Sequence, residues 1–252
     1  AVQQAVPVLA EDGVTLILSG DVPLTRPETL QALLDVCNGQ HLALLTLDME
    51  NVFFHLASQS RLPKLKQLVL APFQLHAKML HMIEALGAAA AKGEETRLVA
   101  KMNALTDEDL VRALMAAGRA GVKIDLIVRG ACILPAQVPG HTDNIRVRSV
   151  IGRFLEHSRV FYFRSGAEES LYLSSADWMN RNMLRRVELA WPINDPVLRQ
   201  RIIDECLVAY LHDTANAWSL QADGNYIDLA KDSAPPLLSV QKALMVRYQD
   251  KA

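Results

Sequence analysis

Half of the 252 residues are apolar, and 26 Lys and Arg stand against 28 Asp and Glu, a net charge of −2. That balance excludes a histone-like or polybasic nucleic-acid binder, so no nucleic acid is expected as a partner. The apolar fraction excludes a disordered chain, and at roughly 150 residues per domain the length suggests one large domain or two small ones. Cys37, Cys132 and Cys206 lie far apart with no C-x-x-C pair, which argues against a disulfide framework or a cysteine zinc site and for a reducing, cytoplasmic setting. No apolar run reaches the roughly 18–20 residues of a membrane span. Ala1-Val2-Gln3-Gln4 has neither the basic start nor the apolar core of a signal peptide, and no initiator methionine opens it, which leaves room for upstream residues.

In chain order, 14–18 is a short apolar run of strand formers broken by Ser19-Gly20-Asp21. Pro27-Glu28 predicts a helix start, with Leu30, Leu33 and Leu34 on its buried face. A second buried strand is expected at 42–47. Residues 1–50 thus read as a β-α-β fragment, 51–65 as a connection ending at Leu62-Pro63, and 66–252 as the main domain. That domain opens with a strand at 66–71 and an Ala-rich amphipathic helix at 75–91, closed by Gly93. A strand at 96–101 follows. Thr106 is expected to cap the next helix, whose first turn holds Asp107, Glu108 and Asp109. A strand at 122–128 ends at Arg129-Gly130. Further strands are expected at 145–150, 159–163, 170–174 and 186–191. A long helix runs from Asp195-Pro196 to about 212, and a last helix covers about 237–249. Strands alternating with helices predict an α/β fold whose mixed sheet is mainly parallel and flanked by helices.

From Asn144 to Arg186 the chain carries eight arginines, no lysine and four acids, a local excess of four positive charges. Arginine's planar fork suits bidentate phosphate binding. Inside this window, Glu156-His157-Ser158-Arg159 leads into Val160-Phe161-Tyr162-Phe163, and Ser174-Ser175-Ala176-Asp177-Trp178-Met179-Asn180 follows. The pattern resembles a phospholipase D-type half-site, H-x-K followed by G-S-x-N, with arginine in place of lysine and serine in place of the first glycine. Histidine, with an ordinary pKa near ~6.5, can act as base, acid or phosphate acceptor at neutral pH. Read from the pattern alone, a lone structural histidine at a strand start is the competing account. Arg129 ends a buried strand, and Lys101 and Asn103 end the preceding one. Ligands of open α/β sheets bind beyond the carboxyl ends of strands. Ordinary strand-end polarity is the plainer alternative for each of these residues. His76-Ala77-Lys78 also matches H-x-K but has no serine-asparagine partner downstream, and His76 and His81 are five apart, so both read as structural. There is no Walker A loop and no G-x-G-x-x-G.

The runs 124–130, 143–149, 152–159, 172–179 and 185–188 occur in an order that resembles the C-terminal domain of bacterial polyphosphate kinase, over about residues 51–252. The resemblance implies a phospholipase D-like α/β sandwich. It also implies reversible transfer of the terminal phosphate of ATP to polyphosphate through a phosphohistidine, with Mg2+ accompanying ATP. By resemblance, Arg129 and His157 match a nucleotide-binding arginine and histidine, with His157 a candidate for acid–base help. Arg159, Lys101, Asn103, Ser174 and Ser175 complete the expected ATP/ADP and polyphosphate contacts. The histidine that is phosphorylated belongs to a preceding domain of that family, of which only 52–56 has a counterpart here. The expectation is therefore an incomplete phosphotransfer domain, with a homo-oligomer or a kinase domain in trans left open.

Residues 1–5 and 16–24, including Gly20-Asp21, resemble the nucleotidyltransferase domain of bifunctional N-acetylglucosamine-1-phosphate uridylyltransferase. That likeness implies Asp21 as a magnesium ligand. Two pieces of unrelated enzymes joined near residue 50 suggest a fused or rearranged reading frame. Two competing functions remain in view: a non-catalytic ATP/polyphosphate-binding or assembly module, and residual sugar-nucleotide transfer at Asp21.

Overall fold

The computed structural model describes residues 67–249, together with Glu28, Gln31 and Asp35. The chain divides into two compact units, Ala1–Lys64 and Leu65–Ala252. In the first, Glu28, Gln31 and Asp35 are helical and exposed, and Gln31 Nε2 donates to Asp35 Oδ1 one turn on at 2.9 Å. The β-α-β expectation for residues 1–50, the connection at 51–65 and Asp21 otherwise lie outside the described residues.

The second unit is built on a nine-stranded sheet among the described residues. Its strands are β1 (Val69–Ala71), β2 (Thr96–Met102), β3 (Lys123–Val128), β4 (Ile145–Val150), β5 (Arg159–Ser165), β6 (Glu168–Ser174), β7 (Glu188–Pro192), β8 (Ala217–Leu220) and β9 (Tyr226–Asp228). The spatial order is β1-β7-β6-β5-β2-β3-β4-β8-β9. The α/β class and the mixed sheet stand as read, but the mainly parallel sheet requires correction. Only β2–β3 and β3–β4 are parallel; the other pairs are antiparallel. Parallel neighbours need a crossover of a dozen or so residues, which the helix Glu108–Arg119 supplies between β2 and β3. The link from β5 to β6, by contrast, is a tight turn at Gly166, whose φ of 56° suits glycine, and so short a link can only reverse the chain.

Strand alternation sorts the core into two layers. Leu98, Ala100 and Met102 of β2 and Phe161 and Phe163 of β5 face the helices Leu75–Ala90 and Glu108–Arg119, in a layer that includes Met79, Ile83, Leu114 and Trp178. Val99, Ile127, Val160 and Tyr162 face the other way, against Ile202, Leu207, Tyr210 and Val240. That second layer is covered mainly by one long helical stretch, with Val240 added from the last helix, Val240–Gln249. The long stretch begins as an α-helix at Pro196–Ile202, capped by Asp195, widens to a π-helical turn at Ile203–Val208 and closes at Ala209–Leu211.

Most predicted boundaries fall within a few residues of the observed ones. One cap moves: the side chain of Asp107, not Thr106, accepts from Leu110 N at 3.1 Å, and the helix starts at Glu108. Thr106 N instead donates to Trp178 O at 2.8 Å. β8, β9 and the short helices Asn180–Leu184 and Leu229–Asp232 have no counterpart in the sequence reading, because each spans five residues or fewer and buries too little for a periodic signal.

Candidate anion site at the strand ends

β2, β3 and β4 run in one direction and β5 runs against them, so the C-terminal ends of the first three meet the N-terminal end of β5 at one edge. The register is explicit there: Lys101 lies opposite Val160, and Arg159 lies opposite Ser174 at the end of β6. Residues 151–158 leave β4 and must cross the ends of β3 and β2 to reach β5. Three strand spacings of about 4.8 Å are well within the reach of eight residues. The crossing segment therefore lies over the ends that carry Arg129, Lys101 and Asn103, and it delivers His157 to the same place.

Arg159 is the anchor on one side. Its guanidinium grips Asp177 with two hydrogen bonds, Nη2 to Oδ2 at 2.9 Å and Nε to Oδ1 at 3.3 Å. Both side chains are buried. Asp177 also accepts from the backbone N–H of Asn103 at 2.6 Å and of Ala104 at 3.3 Å, which ties the 174–179 segment to the end of β2. Burial alone would raise the Asp177 pKa, but Arg159 and those backbone donors outweigh it and hold the carboxyl below its ordinary value. The remaining nitrogen of Arg159, Nη1, donates to His157 O at 2.7 Å and lies 3.0 Å from His157 Nδ1. His157 itself is exposed.

Asn103 completes this corner. With its amide oriented to satisfy both ends, its oxygen accepts from Arg159 Nη2 at 2.8 Å and its nitrogen donates to Glu156 O at 2.7 Å. Arg129 Nη1 donates to the same Glu156 carbonyl at 2.5 Å. Two guanidinium groups thus hold successive carbonyls, those of Glu156 and His157.

The other side is built on Lys101, which is buried on the second face of β2. Its Nζ bonds Glu156 Oε2 at 2.9 Å and sits 3.4 Å from the centre of the Tyr210 ring. Burial pulls the Lys101 pKa down despite the neighbouring carboxylate. Burial pushes Glu156 the other way, yet the Lys101 ammonium and the donors Tyr210 and Gln241 hold it below its ordinary value. Tyr210 OH and Gln241 Nε2 each reach Glu156 Oε1 at 2.7 Å. The Tyr210 hydroxyl is pushed well above its ordinary pKa by burial and by Glu156. A small cleft lies between these groups, lined by Lys101, Asn103, Arg129, Glu156, Ser158 and Tyr210.

The structure thus brings together His157, Arg129, Arg159, Lys101 and Asn103. The two serines sit differently. Ser174 Oγ donates to Leu189 O at 2.8 Å and accepts from Ala176 N at 3.0 Å, while Ser175 Oγ donates to Glu188 Oε2 at 2.5 Å and accepts from Leu189 N at 3.0 Å. Their hydroxyls shape the β6–β7 junction that leads to Asp177. The arginine excess does not act as one patch either. Arg146 bonds Asp125, which also pairs with Arg97, and Arg164 pairs with Glu95. Sequence reading missed Glu156, Asp177, Tyr210 and Gln241 as partners. One signal was available: a lysine inside the apolar strand Leu98-Val99-Ala100-Lys101-Met102 demands a buried counter-charge.

His76 Nε2 meets Asp107 Oδ1 at 3.0 Å, in keeping with the structural reading. With Asp109 these two form the one histidine–carboxylate cluster among the described residues whose ligand atoms converge. It stands at the positive end of the helix Glu108–Arg119, an unfavourable place for a cation, and shares no residue with the candidate anion site.

Residues 68–240 match the model of the polyphosphate kinase C-terminal domain 2. The chain is 47% identical over 203 residues to the polyphosphate kinase of Xylella fastidiosa strain Temecula1, covering 81% of this chain and 29% of that one. It is 49% identical over 179 residues to the polyphosphate kinase of Pseudomonas aeruginosa strain PAO1, covering 71% and 26%. The crystal structure of polyphosphate kinase from Porphyromonas gingivalis superposes with a TM-score of 0.72 at 34% identity, over 80% of this chain and 31% of that one. The chain thus spans less than a third of the length of these relatives. The segment before residue 68, with Asp21, lies outside the family match.

Proposed function

The chain belongs to the polyphosphate kinase C-terminal domain family, and on that premise we propose that it binds ATP and polyphosphate at the strand-end edge and serves reversible transfer of the terminal phosphate between them. The observation that supports this reading best is the pair of guanidinium groups, Arg129 and Arg159, holding the carbonyls on either side of an exposed histidine. In this reading Arg129 and His157 meet the phosphate. Arg159, buried against Asp177, orients His157 instead of reaching a ligand itself. Lys101 and Asn103 lie behind the segment as its support. Phosphoryl transfer is governed by positioning and by stabilisation of charge on the transferring oxygens, which a guanidinium and an imidazole can supply. His157 is placed to give or take a proton.

Mg2+ would accompany the nucleotide. The site's own residues do not fit a protein-held magnesium centre, because such a centre needs free oxygen ligands and both local carboxylates are engaged, Asp177 by Arg159 and Glu156 by Lys101. Any Mg2+ would be held by the phosphates of ATP. The wider reading includes a cytoplasmic setting and a kinase domain supplied in trans or a homo-oligomer.

The test is phosphate transfer between ATP and polyphosphate with the purified chain, alone and with a phosphohistidine-bearing kinase domain added. Turnover abolished by His157→Ala supports the phosphotransfer reading. Binding without turnover under either condition, weakened by Arg129→Ala and by salt, replaces it with a non-catalytic binding module. No binding of either ligand overturns both.

A further inference from the structure

Glu156 touches both halves of the site at once. Its carbonyl accepts from Arg129, and its carboxylate accepts from Lys101, Tyr210 and Gln241. The next residue is His157. The segment that carries them has little apolar anchorage: Ile151, Phe154 and Leu155 are 60, 49 and 77% exposed. Burial therefore cannot hold it in place, and its polar bonds must.

Three of those bonds come from one side chain on the last helix, Val240–Gln249. Gln241 accepts from Phe154 N at 2.9 Å and donates to Phe154 O at 2.8 Å, pairing with the segment's backbone as a neighbouring strand would. The same amide donates to Glu156 Oε1 at 2.7 Å. Gln241 is itself 6% exposed. The contact also explains Gly152, since a Cβ there would fall 2.4 Å from Gln241 Oε1. The π-helical turn at Ile203–Val208 leads into the short helix Ala209–Leu211, which carries Tyr210, the third group on the Glu156 carboxylate.

We propose that Glu156 is a positioning residue for Arg129 and His157, and that Gln241, admitted by Gly152, is the latch through which the last helix holds it in register. This rests on the reading of Arg129 and His157 as the phosphate-binding pair. It adds two groups that touch no ligand and makes the last helix part of the site.

The experiment uses the full chain and inorganic tripolyphosphate. Gln241→Leu removes the latch at nearly constant volume, and Gly152→Ala drives a methyl into it. Gln200→Ala, which removes an exposed intrahelical bond to Asp204, is the control. Amide hydrogen exchange at Phe154 and NMR titration of the His157 and Arg129 side chains are followed together. Loss of the Phe154 N–H bond to Gln241 predicts a roughly tenfold fall in Phe154 protection in both variants, with β2 and β5 amides unchanged. Tripolyphosphate should bind on the order of tenfold more weakly to both, and as wild type to the control, if orientation by a comparable energy is what the latch supplies. Unchanged Phe154 protection overturns the proposal. So does lost protection with wild-type binding. Should the wild type bind no tripolyphosphate, the phosphate-binding reading fails on its own. The latch is then decided by the His157 and Arg129 resonances, which must shift in the variants and whose constancy overturns it. Should Gln241→Leu not fold, Gly152→Ala carries the same test.

Discussion

One face of the sheet sends Arg159 to the strand-end edge, where it meets Asp177; the other sends Lys101, which meets Glu156. Both pairs are largely buried and both end beside His157, but they are built differently. The Arg159–Asp177 pair is bidentate, and its carboxylate also takes two backbone N–H groups, so almost every polar atom is matched. It lies against the closely filled layer under Trp178, whose ring packs 5.0 Å from Phe161. The Lys101–Glu156 pair has a single contact between the charged groups, and burial weighs against the lysine. Its remaining bonds come from the π-containing stretch and the last helix, which are remote in sequence. A matched pair in a continuous core acts as a foundation; a pair assembled from separate surface helices acts as an adjustable support.

The largest effect expected is at the foundation. Asp177→Ala leaves a buried guanidinium and two backbone donors without their acceptor, and breaking a buried pair in this way costs about 3–5 kcal/mol. Urea unfolding measures it, and a loss under about 1 kcal/mol would erase the distinction between the two pairs. Lys101→Met is expected to cost less, about 1–2 kcal/mol, because Glu156 keeps Tyr210 and Gln241 and a desolvated ammonium is removed. A loss equal to that of Asp177→Ala would show that both pairs are foundations.

Acid sharpens the contrast next. Asp177 and Glu156 titrate below their ordinary values when folded, so each contributes stability above about pH 4–5 that is lost as pH falls through its lowered folded value. Asp177→Asn should therefore flatten the acid limb of a stability–pH curve more than Glu156→Gln does. Lys101 has the opposite consequence. Its folded value is lowered, the unfolded chain binds the proton more tightly, and stability should rise with pH from that folded value toward about 10.5. Lys101→Met should abolish that alkaline rise, which thermal unfolding across pH would reveal. The smallest effect belongs to Tyr210→Phe, which removes one hydrogen bond to Glu156 and keeps the ring over Lys101, for about 1 kcal/mol in urea unfolding.

Much of the fold was legible in the chain because its signals are local. The helix Leu75–Ala90 announces itself through Leu75, Met79, Ile83 and Leu86 on one face, and β2 and β3 through apolar runs bounded by turns. His157 and Arg129 were legible as well, one beside an arginine at a strand start and the other at a strand end. Sheet polarity was not, because alternation of elements says nothing about which strands pair across a tight turn such as that at Gly166. Nor were the partners of the site. Asp177 lies 18 residues beyond Arg159, and Gln241 lies 85 beyond Glu156.

The sequence by itself determined the longer elements, their rough boundaries, the edge to which a buried strand would carry Arg129, and the histidine two residues before β5. These follow from periodicity, capping and turn chemistry, which act within a few residues. The tertiary structure decided which charges would be neutralised and which would face solvent. Only the sheet order carries residues 151–158 over the ends of β3 and β2, and only that crossing sets Glu156 between Arg129, Lys101 and Gln241. A buried charge selects its partner by proximity in space, and proximity in space is fixed by the register of strands and the docking of helices.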